Sequence, residues 1–225
     1  MLARNEQGRW LETVLADMKR VCGKIIVLDD CSTDDTPDIC RGYGAEVYYS
    51  DRSYWSTNEL KQRKFLWYLA TREAQDGEWI LCLDADETMP LSYYLPALTE
   101  LANQNGCGAI SFPLFDMWDD EHYRDDELWS GHKRAWIMCV RYDAKKEYEW
   151  HKMKLHCGRF PNNAAGNFLE TNIAVQHWGW SRPEDRRQKY ERYMKADPGG
   201  KWGSVEQYRS ILDKNPTLRR FGNGG

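Results

Sequence analysis

The sequence predicts an α/β fold with a mostly parallel sheet flanked by helices, on the strength of three observations. Short apolar runs of strand length alternate with segments of helical periodicity up to about residue 105, which is the pattern of parallel βα units. Acidic residues follow two of the predicted strands, at the edge where such sheets bind ligands. A chain of 225 residues can bury one core, so we expect a single domain over 1–225, with halves at 1–105 and 106–225.

The spacing of apolar residues changes near residue 22, where a predicted helix gives way to a predicted strand. Apolar residues recur at helical spacing from Arg9 to Cys22 and then give way to the β-branched run Ile25–Leu28. Capping residues and Pro37 follow this run, and they predict a second helix that ends near Gly42 or Gly44. The order helix, strand, helix therefore opens the chain.

The next segments continue the alternation. We predict a strand at Glu46–Tyr49, a helix from Glu59 to Glu73 and a third strand at Trp79–Leu83. The third strand has no polar residue at alternate positions, which is typical of a strand buried on both faces.

The second half of the chain has a less regular pattern. Strand-like runs occur at 109–115, 136–142 and 173–178, separated by polar and aromatic stretches. Helical spacing returns at 183–195 and at 205–212. The alternation of strands and helices therefore ends near residue 108.

Composition and charge argue against several classes of protein. A formal charge of −4 with no long basic run gives no reason to expect a nucleic-acid partner. The seven cysteines contain no CxxC pair, which favours reduced thiols over a zinc site or a disulfide framework. No apolar stretch approaches the roughly 20 residues of a membrane helix, and residues 1–6 show no secretion segment. We therefore expect a cytoplasmic protein without a membrane span.

The segment with the clearest chemistry is the point where Trp79–Leu83 runs into Asp84 and Asp86. Side chains alternate along a strand, so these two carboxylates are predicted to point to the same side. Ionised carboxylates at a dry sheet edge must be protonated, paired with cations or bound to a metal; for a metal, oxygen ligands favour Mg²⁺ or Mn²⁺, with diphosphate oxygens completing the shell. Asp29 and Asp30 end another strand at the same edge. The sequence therefore predicts a metal and diphosphate site there.

Three segments, taken in order, resemble the family 2 glycosyltransferases: Arg4-Asn5-Glu6, Val27–Thr36 and Leu83–Glu87. The resemblance covers about residues 1–100. It implies a GT-A fold in which residues 1–105 bind a nucleotide sugar and residues 106–225 form the acceptor side. Only Met1–Ala3 precede the first motif, where the family has a full strand, so we expect a shortened first strand.

The resemblance also implies roles for individual residues. Five residues would hold the nucleobase and ribose: Arg4, Asn5, Glu6, Asp29 and Asp30. Asp86 would bind the metal directly, Asp84 would contact the ribose or the metal, and Arg63 would help to bind the nucleotide. His177 lies in a segment similar to a late His-x-Gly element, which brings a histidine to the metal or the diphosphate.

In such enzymes the sugar moves in one in-line displacement that inverts the anomeric carbon, and a carboxylate takes the proton of the acceptor hydroxyl. The segment Asp116–Asp126 offers several carboxylates among aromatic residues, and we predict Asp120 as this base. The resemblance therefore implies an inverting transferase that depends on Mn²⁺ or Mg²⁺. Its donor would be a nucleoside diphosphate sugar, and its acceptor a glycan, lipid-linked or other hydroxyl.

Two other interpretations of the same residues stay open. Leu83–Thr88 also fits the DxDxT motif of haloacid-dehalogenase-like phosphohydrolases, with Asp84 as the nucleophile. That motif normally ends the first strand of its fold, whereas two predicted strands precede it here. The other interpretation is an inactive module that binds a sugar nucleotide without turning it over.

Overall fold

The computed structural model describes residues 1–55 and 57–222. Its first sheet consists of three parallel strands, in the order in which they occur along the chain: β1 (Leu2–Ala3), β2 (Ile26–Asp29) and β3 (Glu46–Tyr49). Three helices belong to the same part of the chain: α1 (Leu11–Val21), α2 (Thr36–Gly42) and α3 (Glu59–Thr71). The helices and strands predicted up to residue 73 are confirmed, because each boundary lies within two residues of its prediction.

Strand β1 is two residues long, as expected of a shortened first strand. Leu2 pairs with Leu28 and Ala3 pairs with Asp29, so the turn after β1 lies beside the acidic end of β2. Asn5 in this turn has a φ of 54°, a left-handed conformation in which asparagine is enriched. The first motif and the first acidic strand end are therefore neighbours.

The second sheet is mixed. Its strands are β4 (Trp79–Leu81), β6 (Ala109–Phe112), β9 (Trp136–Arg141) and β10 (Phe168–Glu170). They lie in the order β10-β6-β9-β4, and β9 runs antiparallel to both of its neighbours. The predicted α/β class is confirmed, and the antiparallel pairs come from the less regular second half of the chain.

A small third sheet connects the two halves. It contains β5 (Glu87–Thr88), β7 (Leu114–Asp116) and β11 (Val175–His177), in the order β5-β11-β7. His177 pairs with Glu87 on one side and with Asp116 on the other. The strand predicted at 109–115 is divided at Pro113, which has no N–H for a sheet ladder. This division lets β7 leave the second sheet and pair with β11.

Strand β4 differs from its prediction. It ends at Leu81, and its three residues are half-buried rather than buried on both faces. A cavity of about 610 Å³ lies between β4 and Ile26 of β2, with Leu66 and Leu69 of α3 in its wall. The apolar side chains of β4 therefore lack part of the packing that their pattern predicts.

The main core is formed where α1 packs on the sheets. Leu15, Val27, Ile110 and Phe112 are fully buried there. The remaining elements lie in the second half: α4 (Leu91–Gln104), β8 (His122–Arg124), α5 (Pro183–Ala196), α6 (Val205–Ser210) and β12 (Leu218–Arg220). None of the helices in the described residues is long and apolar enough to cross a bilayer.

A second apolar cluster lies near α5 and α6. Trp118, Trp129, Trp180 and Ile211 are buried together, and the rings of Trp129 and Trp180 meet edge to face at 5.0 Å. Trp118 and Trp129 therefore belong to the core of the second half rather than to an exposed sugar-binding surface. Tyr190 and Tyr193 of α5 pack against this cluster, which holds α5 against the turn that follows β11.

Candidate active site

The loop between β4 and β5 opens onto a cleft of about 170 Å³. Asp84 and Asp86 both line this cleft, but β4 ends at Leu81, so the two residues lie in the turn before β5 and not in the strand whose alternation was expected to align them. The other charged or ionisable side chains in its wall come from both halves of the chain: Glu6, Glu59, Arg63, His156, His177, Lys189, Arg192 and Tyr193. The cleft therefore lies where the two halves meet.

Asp84 is held by two guanidinium groups. Arg63 donates to both of its oxygens, at 3.0 and 3.2 Å, and Arg159 Nη1 lies 3.2 Å from Oδ2. Burial opposes ionisation of this carboxyl, but Arg63 and Arg159 outweigh the burial and lower its pKa to about 2. Asp84 is therefore held in place as a carboxylate, and the guanidinium group of Arg63 is already occupied in binding it.

Asp86 has different partners. Its Oδ2 lies 3.4 Å from Lys189 Nζ and 3.5 Å from His177 Nε2. Burial disfavours the charge, but Lys189 and His177 outweigh it and hold the pKa of Asp86 well below its usual range. The two acids of the motif are thus neutralised by separate sets of cations.

His177 lies between two carboxylates. Its Nδ1 is 2.8 Å from Asp116 Oδ1, and the Trp180 indole donates to the same oxygen at 3.1 Å. Burial lowers the pKa of His177, but Asp86 and then Asp116 raise it, to about 10 overall. The ring is therefore an imidazolium in this state and must lose a proton before it can bind a metal.

Glu6 is a buried acid at the other side of the cleft. It is 7% exposed, and its Oε2 has no hydrogen-bond partner among the described residues. Burial, together with the nearby charge of Asp86, raises the pKa of Glu6 to about 8. Its carboxyl group therefore keeps its proton at neutral pH and can act as a hydrogen-bond donor.

Asp30 is bonded to the loop that follows β3 and to the first motif. It accepts hydrogen bonds from the backbone N–H groups of Tyr54 and Trp55, at 2.8 and 3.0 Å, and from the Ser53 hydroxyl at 2.7 Å. Arg4 donates to its backbone carbonyl at 2.7 Å. Asp30 is 1% exposed, so its carboxylate holds this loop from within.

Asp29 and Asn5 join the same turn. Asp29 accepts from the Ser32 backbone N–H at 2.9 Å, and Asn5 Oδ1 accepts from the Thr33 N–H at 2.8 Å. The structure therefore brings together the five residues that the resemblance assigns to nucleobase and ribose. It does so through hydrogen bonds that also hold the turn.

Asp120, the predicted base, lies elsewhere. It is exposed in the turn between β7 and β8 and does not line the cleft. Asp119 closes this turn by accepting from the N–H groups of Glu121 and His122, each at 2.8 Å. The turn directs Asp120 to the surface, so the geometry does not support its assignment as the base.

The sequence prediction of the site leaves out four charged residues that lie in the cleft or contact its residues. The cations are Lys189, Arg159 and Arg192, and the acid is Asp116. The charges of α5 are typical of a solvated helix, yet Asp185 is buried and pairs with Arg9 at 2.7 Å. Asp185, Lys189 and Arg192 recur at i, i+4 and i+7, which places them on one helix face. That spacing is the signal that could have identified Lys189. Arg159 and Asp116 carry no comparable local signal.

The donor set fits a divalent cation. Asp86 and His177 converge, and the second ring nitrogen of His177 is bonded to Asp116, an arrangement typical of metal-binding histidines. Within residues 1–55 and 57–222, no group of three or more His, Cys, Asp or Glu side chains could hold a metal ion. Ions of the magnesium type usually take only one or two protein carboxylates when substrate phosphates are present. The site therefore suits a cation that binds together with a diphosphate.

Comparison with known proteins gives a family and two groups of relatives. A family model described as Glycosyl transferase family 2 matches residues 1–197. An uncharacterized protein of Mycobacterium tuberculosis is 24% identical over 229 residues, which cover 94% of this chain and 54% of that protein. A TPR repeat-containing protein of Synechococcus elongatus is 36% identical over 104 residues, or 46% of this chain and 23% of that protein. The chain thus spans about half the length of the mycobacterial relative.

Solved structures agree on the fold. S. aureus TarS superposes with a TM-score of 0.54 at 14% identity, covering 94% of this chain and 67% of the TarS chain. TarS in complex with UDP-GlcNAc gives a TM-score of 0.52 at 13% identity, with 94% and 68% covered. At these identities the likeness concerns the fold alone.

Proposed function

The chain belongs to glycosyl transferase family 2, and we propose that it moves a sugar from a nucleoside diphosphate sugar to an acceptor hydroxyl. We propose further that the reaction inverts the anomeric carbon and depends on a divalent cation. The observation that carries the proposal is the cleft with Asp84 and Asp86 in one wall and separate cations on each. Such a cleft offers one fixed carboxylate and one whose cation partners can be exchanged.

The donor nucleotide would lie against the turn after β1. Arg4, Asn5 and Asp30 shape this wall, and Asp29 supports it from the end of β2. Glu6 is the residue of this group whose carboxyl oxygen lacks a partner in the described residues. We therefore assign Glu6 a direct hydrogen bond to the nucleotide sugar. The neighbouring residues would stabilise the turn.

Asp84 would accept hydrogen bonds from the ribose hydroxyls. Arg63 and Arg159 fix its position and keep it ionised, so it stays an acceptor over the whole range of neutral pH. Arg63 acts through Asp84 in this proposal, because its guanidinium is already bonded to that carboxylate.

A divalent cation, Mn²⁺ or Mg²⁺, would be held by Asp86 and His177 and would supply Lewis-acid stabilisation of the departing diphosphate. Asp116 orients His177 for this task. Lys189 stands beside Asp86 as a further positive charge facing the leaving group. The chain's own contribution is thus a positively charged pocket for the developing charge of the diphosphate.

The phosphohydrolase interpretation is less well supported. It requires Asp84 as a nucleophile, but this carboxylate faces two guanidinium groups that stabilise its charge and reduce its reactivity. The model of glycosyl transferase family 2 also matches residues 1–197 of this chain. An inactive binding module would have the same cleft, so only a measurement of turnover distinguishes it from an enzyme.

A donor screen tests the proposal. The protein is incubated with UDP- and GDP-sugars, with Mn²⁺ or with EDTA, and released nucleoside diphosphate is measured. The TarS complex makes UDP-GlcNAc the first donor to try. We expect slow metal-dependent hydrolysis of at least one donor, which accelerates with a hydroxyl acceptor. Binding without turnover would support the module, and an acyl phosphate at Asp84 would support the phosphohydrolase.

A further inference from the structure

The side chain of Lys189 projects from α5 into the cleft and ends at Asp86. Its Nζ lies 3.4 Å from Asp86 Oδ2 and 4.4 Å from the centre of the Trp180 ring. The side chain is 16% exposed, so the ammonium group exchanges most of its hydration for a carboxylate and an aromatic face. Lys189 is therefore built into the site.

Gly179 shows how closely three charged groups converge here. A methyl group at Gly179 would lie 1.9 Å from Lys189 Nζ, 2.3 Å from Asp86 Oδ2 and 2.8 Å from His177 Nε2. The three groups therefore surround one small volume above the glycine. A cation bound to Asp86 and His177 would share this volume with the ammonium group of Lys189.

A divalent cation bound at Asp86 Oδ2 would carry two charges into the small volume that the Lys189 ammonium group now fills, and their repulsion is strong in a partly buried site. Lys189 must therefore move when a divalent cation binds Asp86. A diphosphate would provide the negative oxygens that a displaced ammonium group needs, and Lys189 lines the cleft in which it would lie.

We propose that Lys189 is a resident counter-ion of Asp86, which weakens divalent-cation binding in the free protein and turns to the diphosphate when the donor and cation bind together. This inference rests on the metal site of the proposed function. It predicts that cation and nucleoside diphosphate bind cooperatively, because each favours the same displaced position of Lys189.

Binding of Mn²⁺ to the free protein tests the proposal, with the unbound ion measured by electron paramagnetic resonance. Lys189→Met keeps the length of the side chain and removes its charge, so we expect Mn²⁺ to bind at least about tenfold more tightly without nucleotide. Lys195→Met removes the same charge from an exposed position on α5 and should bind Mn²⁺ as the unmodified protein does. Lys189→Arg retains the positive charge and should not gain affinity.

A second titration in the presence of UDP measures the coupling. UDP should raise the Mn²⁺ affinity of the unmodified protein more than that of Lys189→Met, because the latter has no counter-ion to displace. Equal Mn²⁺ affinity of the unmodified protein and Lys189→Met would overturn the role of Lys189 and leave the metal site standing. An equal gain in Lys195→Met would also overturn it, since the effect would then be one of net charge. Absence of Mn²⁺ binding in every variant would remove the metal site itself.

Discussion

Two acidic strand ends of this protein look alike in sequence and differ in their partners. Asp30, at the end of β2, is bonded to backbone N–H groups of the loop that follows β3. Asp86, in the loop after β4, is balanced by the side chains of Lys189 and His177 across the cleft. Backbone donors are fixed by the fold, whereas side-chain cations can turn away and be replaced.

The comparison separates two uses of a carboxylate. An acid satisfied by backbone amides maintains the shape of a loop, and its loss is expected to appear as lost stability. An acid satisfied by movable cations can exchange them for a ligand, and its loss is expected to appear as lost function. The predictions below test this division, beginning with the largest effect.

Asp86→Ala should reduce sugar transfer about 100- to 1,000-fold, because it removes the carboxylate that holds the charge-stabilising cation at the diphosphate. The measurement is kcat with saturating Mn²⁺, together with a thermal melt that shows an intact fold. Asp120→Ala removes an exposed acid outside the cleft and should keep most of the activity. Full activity of Asp86→Ala, or a loss in Asp120→Ala as large as that in Asp86→Ala, would reverse these assignments.

The pH dependence of stability should reveal the charge on His177. Its pKa is raised to about 10 in the folded protein, against about 6.5 when unfolded. Its stabilising contribution is therefore complete below pH 6.5 and is lost as the pH rises through 10. We expect the stability difference between the unmodified protein and His177→Gln to shrink across this window by on the order of 3 kcal/mol. Urea denaturation measures it, and a difference independent of pH would show that His177 is neutral.

Asp30→Ala should destabilise the fold by about 2–3 kcal/mol, because it leaves buried N–H groups without an acceptor. The free energy of unfolding in urea gives the effect. Asp38→Ala is the matched control, since Asp38 is an exposed acid on α2, and it should change stability by less than about 0.5 kcal/mol. Similar values for the two variants would mean that the loop does not depend on the Asp30 carboxylate.

Glu6→Gln should give the smallest effect. Glu6 has a pKa of about 8 in the folded protein and about 4.3 when unfolded, so its contribution to stability is present below pH 4.3 and declines up to pH 8. Glutamine cannot ionise, but it buries an amide group whose unmet hydrogen bonds offset most of this gain, so the variant should be more stable than the unmodified protein by about 1 kcal/mol at pH 8. Glu12→Gln, at an exposed position, should show no such gain, and a gain as large there would assign the effect to net charge.

Local patterns predicted the first half of the fold well. The change from helical spacing to the β-branched run before Asp29, and the capping residues after it, are signals carried by neighbouring residues. Such signals need no knowledge of distant contacts.

The partners of these acids could not be predicted in the same way. Arg159 and Lys189 reach the acidic loop from positions far along the chain, and their local sequence resembles an ordinary polar surface. Asp120 lies outside the cleft, because the direction of a turn residue depends on hydrogen bonds such as those of Asp119. Composition near a site thus indicates candidates, and the tertiary contacts select among them.

Calorimetric binding of nucleoside diphosphates tests the central claim most directly. UDP and GDP are titrated into the unmodified protein and into Asp86→Ala, each with and without Mn²⁺. We expect one of the two nucleotides to bind the unmodified protein much more tightly with Mn²⁺, and Asp86→Ala to lose this gain. Equal nucleotide binding with and without Mn²⁺, or a full Mn²⁺ effect in Asp86→Ala, would contradict a cation site at Asp86.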